Sequence, residues 1–153
     1  MAVEAPLSKY KRNTLIGIIF VLVFFAAYCI YDGFFSKKFI EKYTDEDGNP
    51  ESTLVFNQKA PPYLFGVAVL VGAYLFVIKG KKLIADENEL IIDGKESITY
   101  DTIQSIDKTH FKSKGFFVIT IESEQGGQSK RRFNDRAYDN LEAVLEKLVA
   151  KIS

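Results

Sequence analysis

Two long, uncharged apolar blocks constrain this chain more than any other feature of its sequence. The first runs from Leu15 to Tyr31 and the second from Tyr63 to Ile78, and neither contains an acidic or basic residue. With its neighbours, each block approaches the ~20 residues that a helix needs to cross a hydrocarbon core about 30 Å thick. The sequence therefore predicts two membrane-spanning helices, at residues 14–35 and 63–79.

A cleaved signal peptide is the competing interpretation of the first block, because basic residues precede it. The block is long for the apolar core of a signal peptide, and no small-x-small cleavage site follows it. Cys29, the only cysteine, follows the bulky Tyr28, which does not suit a lipoprotein site. We therefore expect a retained anchor, with Cys29 as a packing residue.

Basic residues near the blocks indicate how the spans are oriented. Lys9, Lys11 and Arg12 lie in a predicted tail at residues 1–13, and three lysines follow the second block. Four lysines lie in the loop between the blocks. Because basic residues favour the cytoplasmic side of a membrane, this modest bias predicts a multi-pass protein with both termini in the cytoplasm and the loop outside.

Small residues mark a predicted helix-packing surface on the second span. They are Gly66, Ala68, Gly72 and Ala73, and the pair Ala68 and Gly72 has the small-xxx-small spacing that lets another helix approach closely. This surface either packs on the first span or contacts a different subunit, and the sequence leaves both open. Neither span carries an ionisable residue at its centre, which argues against a transporter or pump.

The predicted loop at residues 36–62 is longer than a hairpin needs. Aromatic residues at positions 35, 39 and 43 have helical spacing, which predicts that the first helix continues for about two turns beyond the membrane. A turn is predicted at Thr44–Pro50, and a short extended piece at Ser52–Phe56. Phe39 and Tyr43 would then need cover from lipid headgroups or from a partner.

From residue 81 to residue 153 the periodicity predicts a small antiparallel β domain with a helix at its C-terminal end. The predicted strands cover residues 83–85, 90–92, 97–100, 105–112, 116–122 and 130–133. A turn is predicted at residues 114–115, and residues 117, 119 and 121 are predicted to share one side of the strand that follows it. Apolar residues from Leu141 to Ile152 share one helical face, and Asp139 is the predicted cap of that helix. The predicted fold class is α+β, with a transmembrane hairpin of two helices followed by an antiparallel β-roll and a capping helix.

The order of these elements resembles that of a known family. The segments "LIADENELII", "SITYDTIQSIDK", "FFVITIE" and "DNLEAVLEKLVAKI" are similar to the bacterial pleckstrin-homology-like domains found behind one or two membrane spans in small bacterial proteins. In those domains an aromatic residue, an acid and an isoleucine lie between two strands, as Tyr100, Asp101 and Ile103 do here. The resemblance covers residues 81–152. It implies a seven-stranded roll capped by a helix, a bacterial inner-membrane location and no shared catalytic residue.

No pattern in the sequence points to catalysis, to a metal or to a cofactor. His110 is the only histidine, and it falls in a predicted strand without cysteine or histidine partners. Residues 43–48 are only faintly similar to a calcium loop, since they lack its spacing and its final glutamate. The 20 basic and 20 acidic residues balance, which removes the basic surplus typical of nucleic-acid-binding proteins. We therefore expect no enzymatic activity and no small-molecule ligand.

Basic residues concentrate in and near the last predicted strand. They are Lys108, Lys112, Lys114, Lys130, Arg131, Arg132 and Arg136. On a β-roll, Lys130, Arg131 and Arg132 could contact anionic headgroups, each contributing about 1 kcal/mol. The alternative is a solvated strand face whose charges are balanced by neighbouring acids, and the sequence leaves both open.

Two functions are compatible with these features. The first is a non-enzymatic accessory or scaffold subunit of a larger membrane complex, whose β domain docks on partner proteins. The second is a stand-alone, membrane-anchored module that recognises a peptide or an anionic lipid, for example by adding a peptide strand to a sheet edge. The expected partners are other membrane protein subunits and the lipid bilayer.

Overall fold

The computed structural model of the protein describes residues 1–122 and 126–152, which form two compact units. The helical unit is Asn13–Val77, and the sheet unit combines Met1–Arg12 with Ile78–Ser153. The fold is α+β, with two long apolar helices, antiparallel sheets and a C-terminal helix, as the sequence predicts. The sheet unit is thus built from two segments that are separated in sequence by the whole helical unit.

Five α-helices and seven strands follow one another along the described chain. In order they are β1 Val3–Pro6, α1 Lys9–Ile30, α2 Lys37–Lys42, α3 Ser52–Ile78, β2 Lys82–Ala85, β3 Glu89–Ile92, β4 Glu96–Thr99, β5 Ile103–Asp107, α4 Phe111–Lys114, β6 Phe116–Glu122, β7 Gln128–Asn134 and α5 Leu141–Ile152. A π-helical turn, Tyr31–Phe35, directly follows α1, and a 3-10 turn, Tyr100–Thr102, precedes β5.

Two stretches of helix are long and apolar enough to cross a membrane. They are Lys9–Phe35, which is α1 with its π-helical turn, and Ser52–Ile78, which is α3, and each contains 27 residues. At 1.5 Å per residue, each is about 40 Å long. This exceeds the hydrocarbon thickness of about 30 Å, so both helices are able to span it and extend beyond it.

A narrow seam runs along α1 and α3 inside the helical unit. The least exposed residues recur at steps of three and four, which is the heptad spacing of paired helices. On the first helix and its π-helical turn they are Leu15, Ile19, Leu22, Ala26, Cys29 and Gly33, and on α3 they are Leu54, Asn57, Pro61, Leu64, Ala68, Val71 and Leu75. Cys29 is fully buried in this seam, which confirms it as a packing residue.

The second long helix begins earlier than the sequence predicts. It starts at Ser52, and Pro61 and Pro62 lie inside it rather than at its beginning. The prediction of an extended piece at Ser52–Phe56 is therefore wrong, because these residues are helical. The φ of a proline suits a helix, although each proline lacks the N–H of one helical hydrogen bond. The helix is nevertheless continuous through both residues, and its seam is packed from Leu54 onward.

The first long helix does not simply continue beyond the predicted span. Ser36 adopts an extended conformation, with φ −81° and ψ 94°, and separates the π-helical turn from α2. The N–H of Ser36 donates to the carbonyl of Tyr31 at 2.9 Å, which closes the wider π-type turn. The predicted helical extension is therefore present only as the separate, six-residue helix α2.

The sheet unit contains two antiparallel sheets and one covering helix. The first sheet has the order β1-β2-β3-β4, and the second has the order β5-β6-β7. Alternate residues of β6 enter the core, so that Phe117 and Ile119 are fully buried, as the sequence predicts. The α5 helix adds Val144 and Leu148, both fully buried, to the same core.

The N-terminal segment is a strand rather than the predicted tail. Val3–Pro6 pairs antiparallel with Lys82–Ala85, and the N–H of Leu7 donates to the carbonyl of Lys81 at 3.0 Å. Ala5 lies opposite Leu83 in this pairing and is fully buried. The helical unit therefore occupies, in sequence, the place of the turn that would join two neighbouring antiparallel strands.

One predicted strand is shorter than expected. β5 ends at Asp107, whose Oδ1 atom accepts a hydrogen bond from the N–H of Thr109 at 3.0 Å. Such a side-chain bond turns the backbone away from the sheet. His110 therefore precedes the short helix α4 instead of lying in a strand. Gly115 ends α4 with a φ of +69°, which confirms the turn predicted there.

Candidate functional site

The structure divides the predicted helix-packing residues between two surfaces. Ala68 is 5% exposed in the seam, and a side chain at Gly72 would meet the Cδ1 atom of Ile19 at 3.9 Å. Gly66 and Ala73 are exposed on the other side of α3. Because they are seven residues apart, they share one helical stripe. Part of the predicted surface thus packs inside the hairpin, and part faces outward.

The junction between the π-helical turn and α3 is a close contact between the two long helices that sequence reasoning missed. A Cβ at Gly33 would lie 3.1 Å from the carbonyl oxygen of Asn57, so a side chain there would press against the backbone of α3. Pro61 has no N–H to bind that carbonyl within α3. The side chain of Gln58 donates to the carbonyl of Gly33 at 3.0 Å, and Asp32 is only 7% exposed beside it. The hydrogen bond from Gln58 therefore links the π-helical turn to α3, next to the Asn57 carbonyl that Pro61 leaves without a helical donor.

Phe39 and Tyr43, predicted to need a partner or headgroups, partly cover each other. Their ring centroids are 4.6 Å apart, and both side chains are half-buried. The ammonium group of Lys42 lies 5.1 Å from the centre of the Tyr43 ring. This contact between α2 and the residue that follows it reduces the apolar surface that a partner could cover.

The predicted basic cluster does not form one surface. Neighbouring residues of a strand point to opposite faces, so Lys130 and Arg132 share a face and Arg131 lies on the other, opposite the buried Ile119. The Arg131 guanidinium forms an ion pair with Oε1 of Glu96 at 2.8 Å. The Arg132 guanidinium lies 3.6 Å from the centre of the Phe116 ring. Two of the three charges are therefore already engaged within the sheet unit.

An open groove separates α5 from the segment that follows β5. Its volume is about 540 Å³, and its apolar side chains include Phe111, Leu145 and Val149. The Phe111 ring meets the ring of the buried Phe117 edge-on, with centroids 6.0 Å apart, which fixes this wall to the core. A volume in this range is typical of ligand and anchor-residue sites.

Charged side chains of opposite sign line the two walls of this groove. Lys108 and Lys112 belong to the wall formed by the β5–α4 segment, and Glu142 and Glu146 belong to the α5 wall. All four are exposed, and none takes part in the four ion pairs found in residues 1–122 and 126–152. The groove thus combines apolar side chains with a positive wall and a negative wall.

Asp139 joins the two chain segments of the sheet unit, and Asp93 joins distant parts of the second segment. Asp139 was predicted to cap α5, but its Oδ2 atom accepts a hydrogen bond from the N–H of Lys9 at 3.0 Å and so caps the start of α1. The Asp93 carboxylate binds Lys81 Nζ at 3.1 Å and accepts a hydrogen bond from the Tyr138 hydroxyl at 3.1 Å. Burial and this carboxylate raise the pKa of Tyr138 to about 12.

Comparisons of the chain with protein-family models, with curated proteins and with solved structures give no match. Within residues 1–122 and 126–152, no group of three or more histidine, cysteine, aspartate or glutamate side chains is placed to hold a metal ion. The candidate functional surfaces are therefore the outward side of α3 and the groove beside α5.

Proposed function

We propose that this chain is a membrane-anchored, non-enzymatic accessory subunit of a larger membrane complex, whose sheet unit docks on partner proteins. The observation that carries the proposal is the outward-facing apolar surface of the helical unit. In the most apolar windows of its two long helices, only 11% and 17% of the residues are buried. Core helices of soluble proteins bury most of theirs, so this surface needs lipid or other helices around it.

The pairing of β1 with β2 supports a hairpin topology for the anchor. Residues before the first long helix and residues after the second belong to one sheet. Both ends of the helical hairpin therefore lie on the same side of any membrane that it spans. The basic residues near the spans favour the cytoplasmic side for those ends. Cleavage after the first helix as a leader would remove β1, so the pairing also favours a retained anchor.

The outward side of α3 carries the feature that favours an accessory subunit over an isolated anchor. Gly66 and Ala73 form an outward small-residue stripe, and a Cβ at Gly66 would meet nothing within 4 Å. In lipid, helices associate by close packing at such small residues rather than by the hydrophobic effect. The stripe is therefore available to a helix of a second subunit without disturbing the seam.

We propose further that the sheet unit is a bacterial pleckstrin-homology-like domain in two segments. The resemblance implies seven strands and a capping helix, whereas residues after 81 supply six strands. The described chain has seven strands because β1 joins from the N-terminal segment, and α5 buries its apolar face against them. This agreement in the number of strands and in the C-terminal position of the helix supports the assignment.

The alternative function is a stand-alone binding module, and one observation favours its peptide version. The groove beside α5 offers an apolar floor with charges of both signs. The basic residues of β7, by contrast, point to both faces of the strand, and two of them are engaged by Glu96 and Phe116. An anionic lipid would need several free cations on one face, which this arrangement does not offer.

The mass of the native assembly tests the proposal. The protein is extracted from native membranes in mild detergent, sized, and identified together with whatever co-migrates. We expect a large assembly with fixed partners that is weakened by Gly66→Leu. Gly17→Leu is the matched control, because position 17 is also an exposed glycine with nothing within 4 Å of a Cβ. A protein that migrates alone, with or without either substitution, supports the binding module instead.

A further inference from the structure

We infer that the groove beside α5 binds a short extended segment of a partner protein, with one apolar anchor between an acidic side and a basic side. The inference rests on the proposed function, because it names the kind of partner on which the sheet unit docks. It follows from three properties of the groove: its floor, the opposite charges of its walls, and the sheet edge that leads into it.

The floor determines the anchor. Leu145 is 6% exposed and anchored in the core, while Phe111 and Val149 remain half-buried, so each still offers apolar surface to the groove. An apolar side chain that enters the groove would complete the burial of these two residues. Because removal of apolar surface from water is the main driving force of such contacts, the anchor is an aliphatic or aromatic residue.

The walls determine the charges on either side of the anchor. Lys108 and Lys112 attract an acidic residue, and Glu142 and Glu146, one helical turn apart on α5, attract a basic residue. A ligand with a single sign of charge is drawn to one wall and repelled by the other. Complementary potentials of this kind select partners and fix their orientation, so the groove discriminates against purely anionic surfaces such as lipid headgroups and nucleic acids.

The sheet edge determines the conformation of the bound segment. Among the strands of residues 1–122 and 126–152, β5 pairs with β6 alone, so it is an edge strand of its sheet. It ends at Asp107, directly before Lys108 on the groove wall. An extended segment can add to such an edge through backbone hydrogen bonds while its side chains enter adjacent pockets. A strand that continues past β5 therefore carries its anchor into the groove.

Three synthetic peptides test the inference on the full chain in phosphatidylcholine nanodiscs at low salt. The first has two glutamates, a central Phe-Leu pair and two lysines, and the second has the same residues with the charged ends exchanged. The third has the same composition with alternating charges. Binding is measured by fluorescence anisotropy of the labelled peptides. We expect one of the first two to bind at least about tenfold more tightly than the other two.

Exchange of the wall charges provides the decisive variant. Lys108→Glu and Lys112→Glu combined with Glu142→Lys and Glu146→Lys reverse both walls at exposed positions, so the fold is not endangered. This variant should prefer the peptide with the opposite charge order. The matched control is Lys95→Glu with Glu89→Lys, away from the groove, which should leave the preference unchanged.

Several results would overturn the inference. They are equal binding of the first two peptides, a preference that survives the exchange of the walls, and absence of binding by all three. Binding of short-chain phosphatidylglycerol that is lost in Lys108→Glu/Lys112→Glu, without any peptide preference, would assign the groove to lipid instead. Loss of peptide binding with the native assembly intact counts against the groove alone. A correct charge reversal in a protein that is not assembled with others counts against the accessory-subunit proposal alone.

Discussion

Phe117 in the sheet unit has no exposed surface, whereas Phe24 in the helical unit is 76% exposed. The same contrast holds for the small residues. Ala26 and Cys29 are fully buried in the seam of the helical unit, while large side chains such as Phe20 point outward. The sheet unit places its large residues inside, as a protein surrounded by water does. One chain therefore contains two units that sort side chains by opposite rules.

This difference in which side chains are buried indicates the solvent to which each unit is suited. In water, large apolar residues drive folding by leaving the solvent. In lipid there is no such drive between helices, so small residues form the contacts and large ones face the acyl chains. A search for buried apolar residues therefore identifies a broad core in the sheet unit but only a narrow seam in the helical unit.

The largest effect is expected from removal of the helical unit. A chain in which residues 1–7 continue through Asn-Gly to residue 81 should fold without detergent, since Leu7 and Lys81 are already hydrogen-bonded neighbours and Asn-Gly suits a tight hairpin turn. Circular dichroism and NMR dispersion of the soluble fraction measure the outcome. A chain of residues 81–153 alone, which lacks β1, should fail to give dispersed spectra. Equal folding of both chains would show that β1 is dispensable.

A charge placed in β1 should destabilise the sheet unit of the full chain almost as strongly as the loss of β1. Ala5→Glu puts a carboxylate at a fully buried position opposite Leu83, and we expect a loss of at least about 4 kcal/mol in the unfolding free energy of the sheet unit. Urea unfolding in detergent, followed by tyrosine fluorescence, measures it. Glu4→Ala is the control, because it removes only an exposed ion pair with Lys82. Similar midpoints for both variants would contradict the pairing.

The same substitution, phenylalanine to alanine, should have very different effects in the two units. Phe117→Ala should destabilise the sheet unit by about 3–5 kcal/mol, because it leaves a cavity in a packed core. Phe24→Ala, at an outward position, should change the unfolding free energy of the sheet unit by less than about 0.5 kcal/mol. Both are measured by the same urea titration. A large effect of Phe24→Ala in this titration would contradict the outward position of this ring.

A smaller loss of stability is expected from a substitution at Gly33, where the π-helical turn contacts α3. Gly33→Leu forces a side chain against the backbone of Asn57 and should weaken the hairpin by about 1–3 kcal/mol. Protease resistance of the helical unit in mild detergent reports the loosening. Gly17→Leu has open space around it and serves as the control. Unchanged resistance in both variants would argue against a close approach at position 33.

The smallest effect concerns the alkaline limit of the sheet unit. Burial and the Asp93 carboxylate raise the pKa of Tyr138 from 10.0 to about 12. A raised folded pKa means that its contribution to stability is complete below pH 10 and is lost as the pH rises toward 12. Tyr138→Phe should therefore flatten the fall of the unfolding free energy across this range, measured by urea titrations at each pH. Tyr100 also has its pKa raised to about 12 and will keep part of the slope. An unchanged slope would contradict the contact with Asp93.

Local patterns were sufficient for elements whose causes lie nearby in sequence. The alternation of β6 and the apolar face of α5 are confirmed, because each depends on residues within one strand or helix. The turn at Gly115 is confirmed for the same reason, since its positive φ is a property of a single residue. Together, β6 and α5 contribute Phe117, Ile119, Val144 and Leu148, among others, to the core of the sheet unit.

Long-range pairing and compensated irregularities were beyond local patterns. β1 is only four residues long, and it is stabilised by β2, which lies beyond the entire helical unit. Pro61 normally signals a helix boundary, but here α3 continues through it. The groove likewise needs α5 and the β5–α4 segment in place before its two charged walls can be recognised.

Labelling of three engineered cysteines is the most direct test of the topology, in which both ends of the chain lie on one side of the membrane and the loop lies on the other. In a Cys29→Ala background, Ala2→Cys, Asp47→Cys and Lys151→Cys place single thiols in the N-terminal segment, in the loop after α2 and in α5. Sealed membrane vesicles of one known orientation are treated with a membrane-impermeant maleimide, before and after permeabilisation. We expect positions 2 and 151 to be labelled from the same side and position 47 only from the opposite side. Labelling of positions 2 and 151 from opposite sides, or of all three from one side, would contradict it.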